Sequence, residues 1–185
     1  MQKVEPVRRK EDIKTIEILL REGNSSPIYA DIWIFLNQTG MRISDCLALE
    51  FSQFTGTALT LEVKEGKTKK YVDRPLTPAA IRVIEKRRAL NPTHRYLFEV
   101  QSNRASGVSI SRVTVAAKFK KAGDALGLHI GTHTPRKNLG YHGLKRGVSL
   151  PVLQKVYGHS SQAVTLAYCG IIDRDVEQVY EGIDY

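Results

Sequence analysis

Disulfide chemistry has little to work with in this chain: its 185 residues include only two cysteines, Cys46 and Cys169. Two thiols are too few for a disulfide framework or a zinc cage, and a reducing cytoplasm is the compartment they suit. Long apolar runs are also missing. The longest, Ile32 to Leu36 within Ile28–Leu36, falls far short of the ~20 residues needed to span a bilayer, so no membrane partner is expected. Residues Met1 to Pro6 lack the apolar stretch of a secretory leader. There is no internal repeat and no low-complexity segment. Acidic residues are the scarcer charge, 19 against 28 Lys plus Arg, giving a net charge of +9 and a pI near 9.6. That excess favours a polyanionic partner. Charge alone does not separate DNA from RNA or from an acidic membrane surface, and a basic pI that merely aids solubility explains it equally well.

What is present is globular. Hydrophobic residues make up 42% and charged residues 25%, which excludes wholesale disorder and leaves enough apolar surface for one domain with its own core. Apolar spacing predicts a helix over 10–22 and a buried helix over 26–38, capped by Ser25 or Ser26 with Pro27 in its first turn and ended by Gly40. A third helix begins near Ile43, with Ser44 and Asp45 in its first turn, and runs to about Glu50. Residues 58–63 and 69–75 read as a basic β-hairpin. Thr77-Pro78 opens a helix to about Arg88. Residues 96–99 form a short strand or turn, 100–108 a polar, mobile stretch, and 111–125 a helix. Short helices follow over 134–145, 150–157 and 161–169, and a last one begins at Asp173. The fold class is therefore mainly α with a small antiparallel β-hairpin or sheet. Trp33 and Phe35 belong to the core, and Cys169 reads as a small buried hydrophobe.

Four places concentrate chemistry. Thr39-Gly40-Met41-Arg42, followed by Asp45, is a glycine turn presenting an arginine at a helix start. Lys67-Thr68-Lys69-Lys70 sits in the hairpin. His133-Thr134-Pro135-Arg136 puts a histidine and an arginine one turn apart. Gly158-His159 is followed, nine residues after the histidine, by Tyr168. Singly, each has an ordinary explanation: a salt-bridged arginine, a solvated lysine, a capping histidine, a tethered core tyrosine. In this order and register they resemble the catalytic domain of the tyrosine recombinases, the family of phage integrases, Xer-type recombinases and short Fim-type invertases. The resemblance covers roughly residues 8–172. It implies the DNA breaking-rejoining fold, a catalytic unit over 1–172, and a tail over 173–185 that is a candidate contact between protomers. It differs in two ways. Pro135-Arg136-Lys137 stands where the family often has leucine-arginine-histidine, and few residues precede the catalytic block, as in a fragment or a Fim-type short form.

Carried over by position, the resemblance implies that Arg42, Lys67, His133, Arg136 and His159 surround a scissile phosphate, that Tyr168 is the nucleophile, and that Asp45 supports Arg42. The chemistry is coherent. Attack on a phosphodiester builds negative charge on the non-bridging oxygens, and a guanidinium fork holds two such oxygens at once. A phenol with a pKa of about 10 needs help to lose its proton, and His133 suits that role. Lys67 would protonate the leaving 5′-oxygen, with Lys64 or Lys69 as alternatives should the strand register slip. No metal and no cofactor are implied. Lys64, Lys69, Lys70, Arg112, Lys118, Lys120 and Lys121 are candidates for backbone-phosphate contacts. The expected partner is double-stranded DNA, with a homo-tetramer on DNA, a monomer when free, accessory DNA-bending proteins, and a cytoplasmic, nucleoid-associated location. Two rival functions are a type IB topoisomerase-like relaxing activity and a non-catalytic DNA-binding regulator.

Overall fold

Capping residues and helix-breaking glycines fix most of the element boundaries. The computed structural model describes residues 4–23, 26–54, 60–64, 71–102, 105–171 and 180. Helix α1 spans Lys10–Glu22, α2 Ile28–Thr39 and α3 Ile43–Leu47, followed by a 3-10 turn at Phe51–Gln53. Strands β1 (Thr60–Lys64) and β2 (Tyr71–Pro75) pair antiparallel with Val63 opposite Val72. Helix α4 (Pro78–Leu90) starts as the sequence predicts: the Thr77 hydroxyl accepts from Ala80 N at 3.2 Å, and Pro78 occupies the first turn. Helices α5 (Arg112–Asp124), α6 (Thr134–Lys145), α7 (Leu150–Tyr157) and α8 (Gln162–Cys169) complete the chain as described.

Three boundaries differ from the sequence reading. Residues 100–102 and 105–108 are extended. Strands β3 (Glu99–Ser102) and β4 (Ala105–Ser109) form a second antiparallel hairpin with an irregular register between Val100 and Ser102. The Glu99 carboxylate gathers the backbone N–H groups of Arg95, Tyr96 and Gly107 at its base. Helix α3 stops at Leu47 rather than near Glu50. Leu49 O accepts from Leu97 N at 2.9 Å, Phe51 N donates to Arg95 O at 2.9 Å, and Glu50 bridges Tyr96, so pairing with a distant segment takes the backbone groups a longer helix would use. Pro27 stands at the N-cap of α2 instead of in its first turn, and Ser26 only approaches Ile28 N at 3.4 Å.

Two apolar clusters result. The larger joins α1, α2, α4, α5 and the segment around Leu97 and Phe98, with Ile16, Leu20, Ile32, Phe35 and Leu36 fully enclosed. Trp33 meets Phe119 edge-on at 5.1 Å between ring centroids, and Phe35 meets Phe98 at 5.7 Å. The smaller cluster is Leu153, Tyr157 and Cys169, with Leu139, Leu144, Val148 and Tyr168 against it. Helix α6 packs on α2 and on α8, and so joins the two clusters. Its buried Asn138 donates to Asn37 Oδ1 at 2.9 Å and accepts from Val7 N, which ties the N-terminal strap over it. Among the described residues no helix is long and apolar enough to cross a membrane.

Candidate active site

The site begins at the turn between α2 and α3. Gly40 takes φ +61°, a left-handed conformation that glycine adopts without Cβ strain, and its N–H closes α2 on Leu36 O at 2.9 Å. Thr39 donates to Phe35 O at 2.9 Å, which stiffens the same turn. Arg42 follows as the extended N-cap of α3, about one-fifth exposed, with Nη1 3.9 Å from Oδ2 of the buried Asp45. The structure thus brings Asp45 beside Arg42.

Helix α6 supplies the second arginine. His133 is its N-cap and Pro135 lies in its first turn, where a missing N–H costs nothing. Arg136 is almost fully buried. Its guanidinium donates to Gly40 O and, at 3.0 Å, to Tyr157 O, and it lies 4.8 Å from the centroid of the Tyr157 ring. Tyr157 answers by donating its hydroxyl to Arg136 O at 2.8 Å. One side chain therefore locks the turn that presents Arg42 to the end of α7. His133 is accessible at the rim. Partial desolvation, then the charges of Arg112, Arg136, Lys137 and Arg42, hold its pKa below the usual histidine value.

Gly158 (φ +65°) ends α7 and delivers His159. The His159 ring stacks on Tyr157 at 5.2 Å, and its Nδ1 lies 3.1 Å from the hydroxyl of the fully buried Thr165. Because that hydroxyl donates to Ser161 O at 3.2 Å, its oxygen is left to accept the Nδ1 proton, and Nε2 is the nitrogen available to a ligand. Burial, then Arg136 and Arg42, lower the His159 pKa.

Tyr168 lies near the end of α8, half-buried, one residue before the buried Cys169. Its ring is 5.1 Å from His159, 5.2 Å from Tyr157 and 5.2 Å from the Lys137 ammonium. Burial raises the phenol's pKa; the charge and hydrogen bond of Arg136 and the charge of Arg42 pull against that rise. Five of the residues singled out in the sequence, Arg42, His133, Arg136, His159 and Tyr168, thus meet in one chain. Lys67, Lys69 and Lys70 lie outside the described residues, as does most of the 173–185 tail. Lys64 ends β1 opposite Tyr71. Arg112 opens α5 close enough to act on His133. Lys118 lies over the Tyr29 ring, Lys120 pairs with Asp124 at 2.5 Å, and Lys121 is exposed in the last turn of α5.

Sequence reasoning missed Tyr157, Thr165 and the carbonyl of Gly40 as parts of this arrangement. Thr165, six residues after His159, carried a spacing signal; a backbone carbonyl carries none. Among the described residues no cluster of three or more His, Cys, Asp or Glu side chains could hold a metal. The arrangement is instead cationic. Arg42, Arg136 and Lys137 converge with Asp45 as the carboxylate beside them, so it favours an anionic ligand.

Comparison with known proteins points the same way. The model of the phage integrase family matches residues 9–173. The chain is 30% identical over 179 residues to the probable integrase/recombinase YoeC of Bacillus subtilis, covering 96% of each. It is 30% identical over 158 residues to tyrosine recombinase XerC of Mesorhizobium japonicum, covering 82% of this chain and 49% of that protein, so it spans about half the length of that relative. Its fold is similar to the crystal structure of XerA recombinase, with a TM-score of 0.76 at 19% identity over 100% of this chain and 66% of that one.

Proposed function

Because the chain belongs to the phage integrase family, we propose that it cuts and rejoins double-stranded DNA as a tyrosine-type site-specific recombinase, with Tyr168 as nucleophile. The observation that carries this reading is the position of the Tyr168 phenol, within hydrogen-bonding reach of Arg136 and in the field of Arg42 in its own chain.

The scissile phosphate would sit between the guanidinium groups of Arg42 and Arg136. The phenol loses its proton to His133, which is able to accept it because its lowered pKa leaves the imidazole neutral at pH 7. The Tyr168 oxygen attacks phosphorus, the bond to the 5′-oxygen breaks, and Lys67 protonates the departing 5′-oxygen to give the free 5′-hydroxyl. The product is a 3′-phosphotyrosine that keeps the linkage's energy, so religation by a 5′-hydroxyl needs neither ATP nor a metal. The guanidinium groups stabilise charge that develops in the transition state, where one such donor is worth about 10²–10³ in rate. His159 donates to a non-bridging oxygen through Nε2. With Nδ1–H held by Thr165 it does so as the imidazolium, and the bound phosphate supplies the negative charge that favours that form. Arg112 and the lysines of α5 and the β1–β2 hairpin meet the flanking backbone and carry little sequence information.

The test is a nicked suicide duplex built from an end of the genetic element that encodes the protein. Wild type should leave a protein–DNA adduct that survives detergent. Tyr168→Phe should abolish the adduct and keep DNA binding. Adduct formation by Tyr168→Phe, or none by wild type on authentic ends, would sink the proposal.

A further inference from the structure

Directly after Arg136 on α6 comes Lys137, only 4% exposed. Burying an ammonium is costly, and an apolar side chain of similar volume packs as well at less cost. Its neighbours show what the charge meets. The Nζ atom lies 5.2 Å from the centroid of the Tyr168 ring. The charge also acts on His133 and on Cys169, the residue after Tyr168. Arg136 donates to Gly40 O and Tyr157 O and also hydrogen-bonds the Tyr168 hydroxyl. The two successive cations of α6 therefore both meet Tyr168, Arg136 at its hydroxyl and Lys137 over its ring. This is also one of the two positions at which the second box departs from leucine-arginine-histidine.

We infer that Lys137 is a positioning residue for Tyr168, holding the phenol ring inside its own chain's site and favouring the phenolate needed for attack. The inference rests on the reading of Tyr168 as nucleophile. A cation over an aromatic face attracts the ring's electron density. It attracts a phenolate more strongly still, because the ring then carries a full charge in a poorly hydrated place. Tyr168 lies in the last turn of an eight-residue helix, Gly170 takes the left-handed conformation two residues later, and among the described residues the apolar cluster beside it has three buried members.

The test uses the full chain with its tyrosines replaced by 3-fluorotyrosine, whose more acidic phenol titrates where the fold survives. The Tyr168 fluorine signal is identified by its loss in Tyr168→Phe. The midpoint of that signal should rise by about one pH unit in Lys137→Met and return most of the way in Lys137→Arg. On the nicked suicide duplex, Lys137→Met should form adduct about tenfold more slowly at pH 7 and approach wild type as pH rises. A purely structural role would slow it equally at every pH. Should Lys137→Met fail to unfold cooperatively, Lys137→Gln takes its place in both measurements. An unmoved fluorine midpoint in a folded variant overturns the inference while leaving wild-type adduct formation, and so the nucleophile assignment, intact. A shifted midpoint in a protein whose wild type forms no adduct instead overturns the nucleophile assignment.

Discussion

The helices around the large core and the α6–α8 region are built on opposite terms. The first region encloses Trp33, Phe35, Phe98 and Phe119 in an apolar cluster drawn from most of the chain. The second has Leu153, Tyr157 and Cys169 as its buried members and relies on polar contacts: Arg136 to two carbonyls, Tyr157 back to Arg136, His159 to Thr165, Lys137 over Tyr168. The candidate nucleophile, both candidate histidines and one arginine sit in the second region; the first contributes Arg42 at its edge. Bulk apolar burial sets global stability, whereas directional contacts set where a reacting atom lies. A small cluster fastened by hydrogen bonds also opens locally at lower cost than a large core.

The largest expected effect attacks the first region. Phe35→Ala removes a fully buried ring that touches Phe98 and should cost about 3–5 kcal/mol in urea unfolding. Per folded molecule, adduct formation on the suicide duplex should be nearly unchanged; a steep loss of activity per folded molecule would break the comparison. Gly140→Ala attacks the second region. A Cβ there would overlap the Tyr157 hydroxyl and the Cys169 sulfur, forcing α6 away from α7 and α8. Stability should fall by about 1–3 kcal/mol, and adduct formation should fall at least tenfold beyond the loss of folded protein, because α6 carries Arg136 and α8 carries Tyr168. An adduct rate that tracks the folded fraction alone would mean the polar contacts do not set the site's geometry.

The smallest effect is pH dependence. His133, His142 and His159, all in the second region, have pKa values lowered first by desolvation. The unfolded chain then binds more protons than the folded one, so stability rises with pH across the histidine range. It should be level above pH 7 and decline as pH falls through the ordinary histidine pKa of about 6.5 toward the lowered values of the folded state. His142, whose Nε2 lies 2.9 Å from Val7 O, is half-buried behind the N-terminal strap. Replacing it in His142→Gln should flatten part of the decline in urea midpoints measured between pH 5 and 7.5, and an undiminished slope would remove His142 from the account.

Much of this could be read in advance, for identifiable reasons. Helices α6 and α7 begin and end where the sequence places them, because Pro135, Pro151 and Gly158 act within a turn of the boundary they set. Thr77 and Gly40 work in the same short-range way. The misreadings came where backbone groups find partners far along the chain. Helix α3 yields to pairing between residues 49–51 and 95–97, and residues 100–102 and 105–108 become a hairpin through cross-strand bonds that polar side chains do not advertise. In the site, Arg42, His133, Arg136, His159 and Tyr168 were visible because their spacing repeats a known pattern. Lys137 was visible only as a departure from that pattern, and Tyr157 as an ordinary apolar residue.

The sequence by itself determined the helical character, the caps, the basic charge and the order of the chemical groups, since each depends on residue type and on neighbours a few positions away. Only the tertiary structure decided that Arg136 reaches the carbonyl of Gly40, 96 residues earlier, and that Lys137 lies on Tyr168. Those meetings depend on how α6 packs on α2 and on α8. That packing brings together residues far apart in the chain, so no local stretch encodes it.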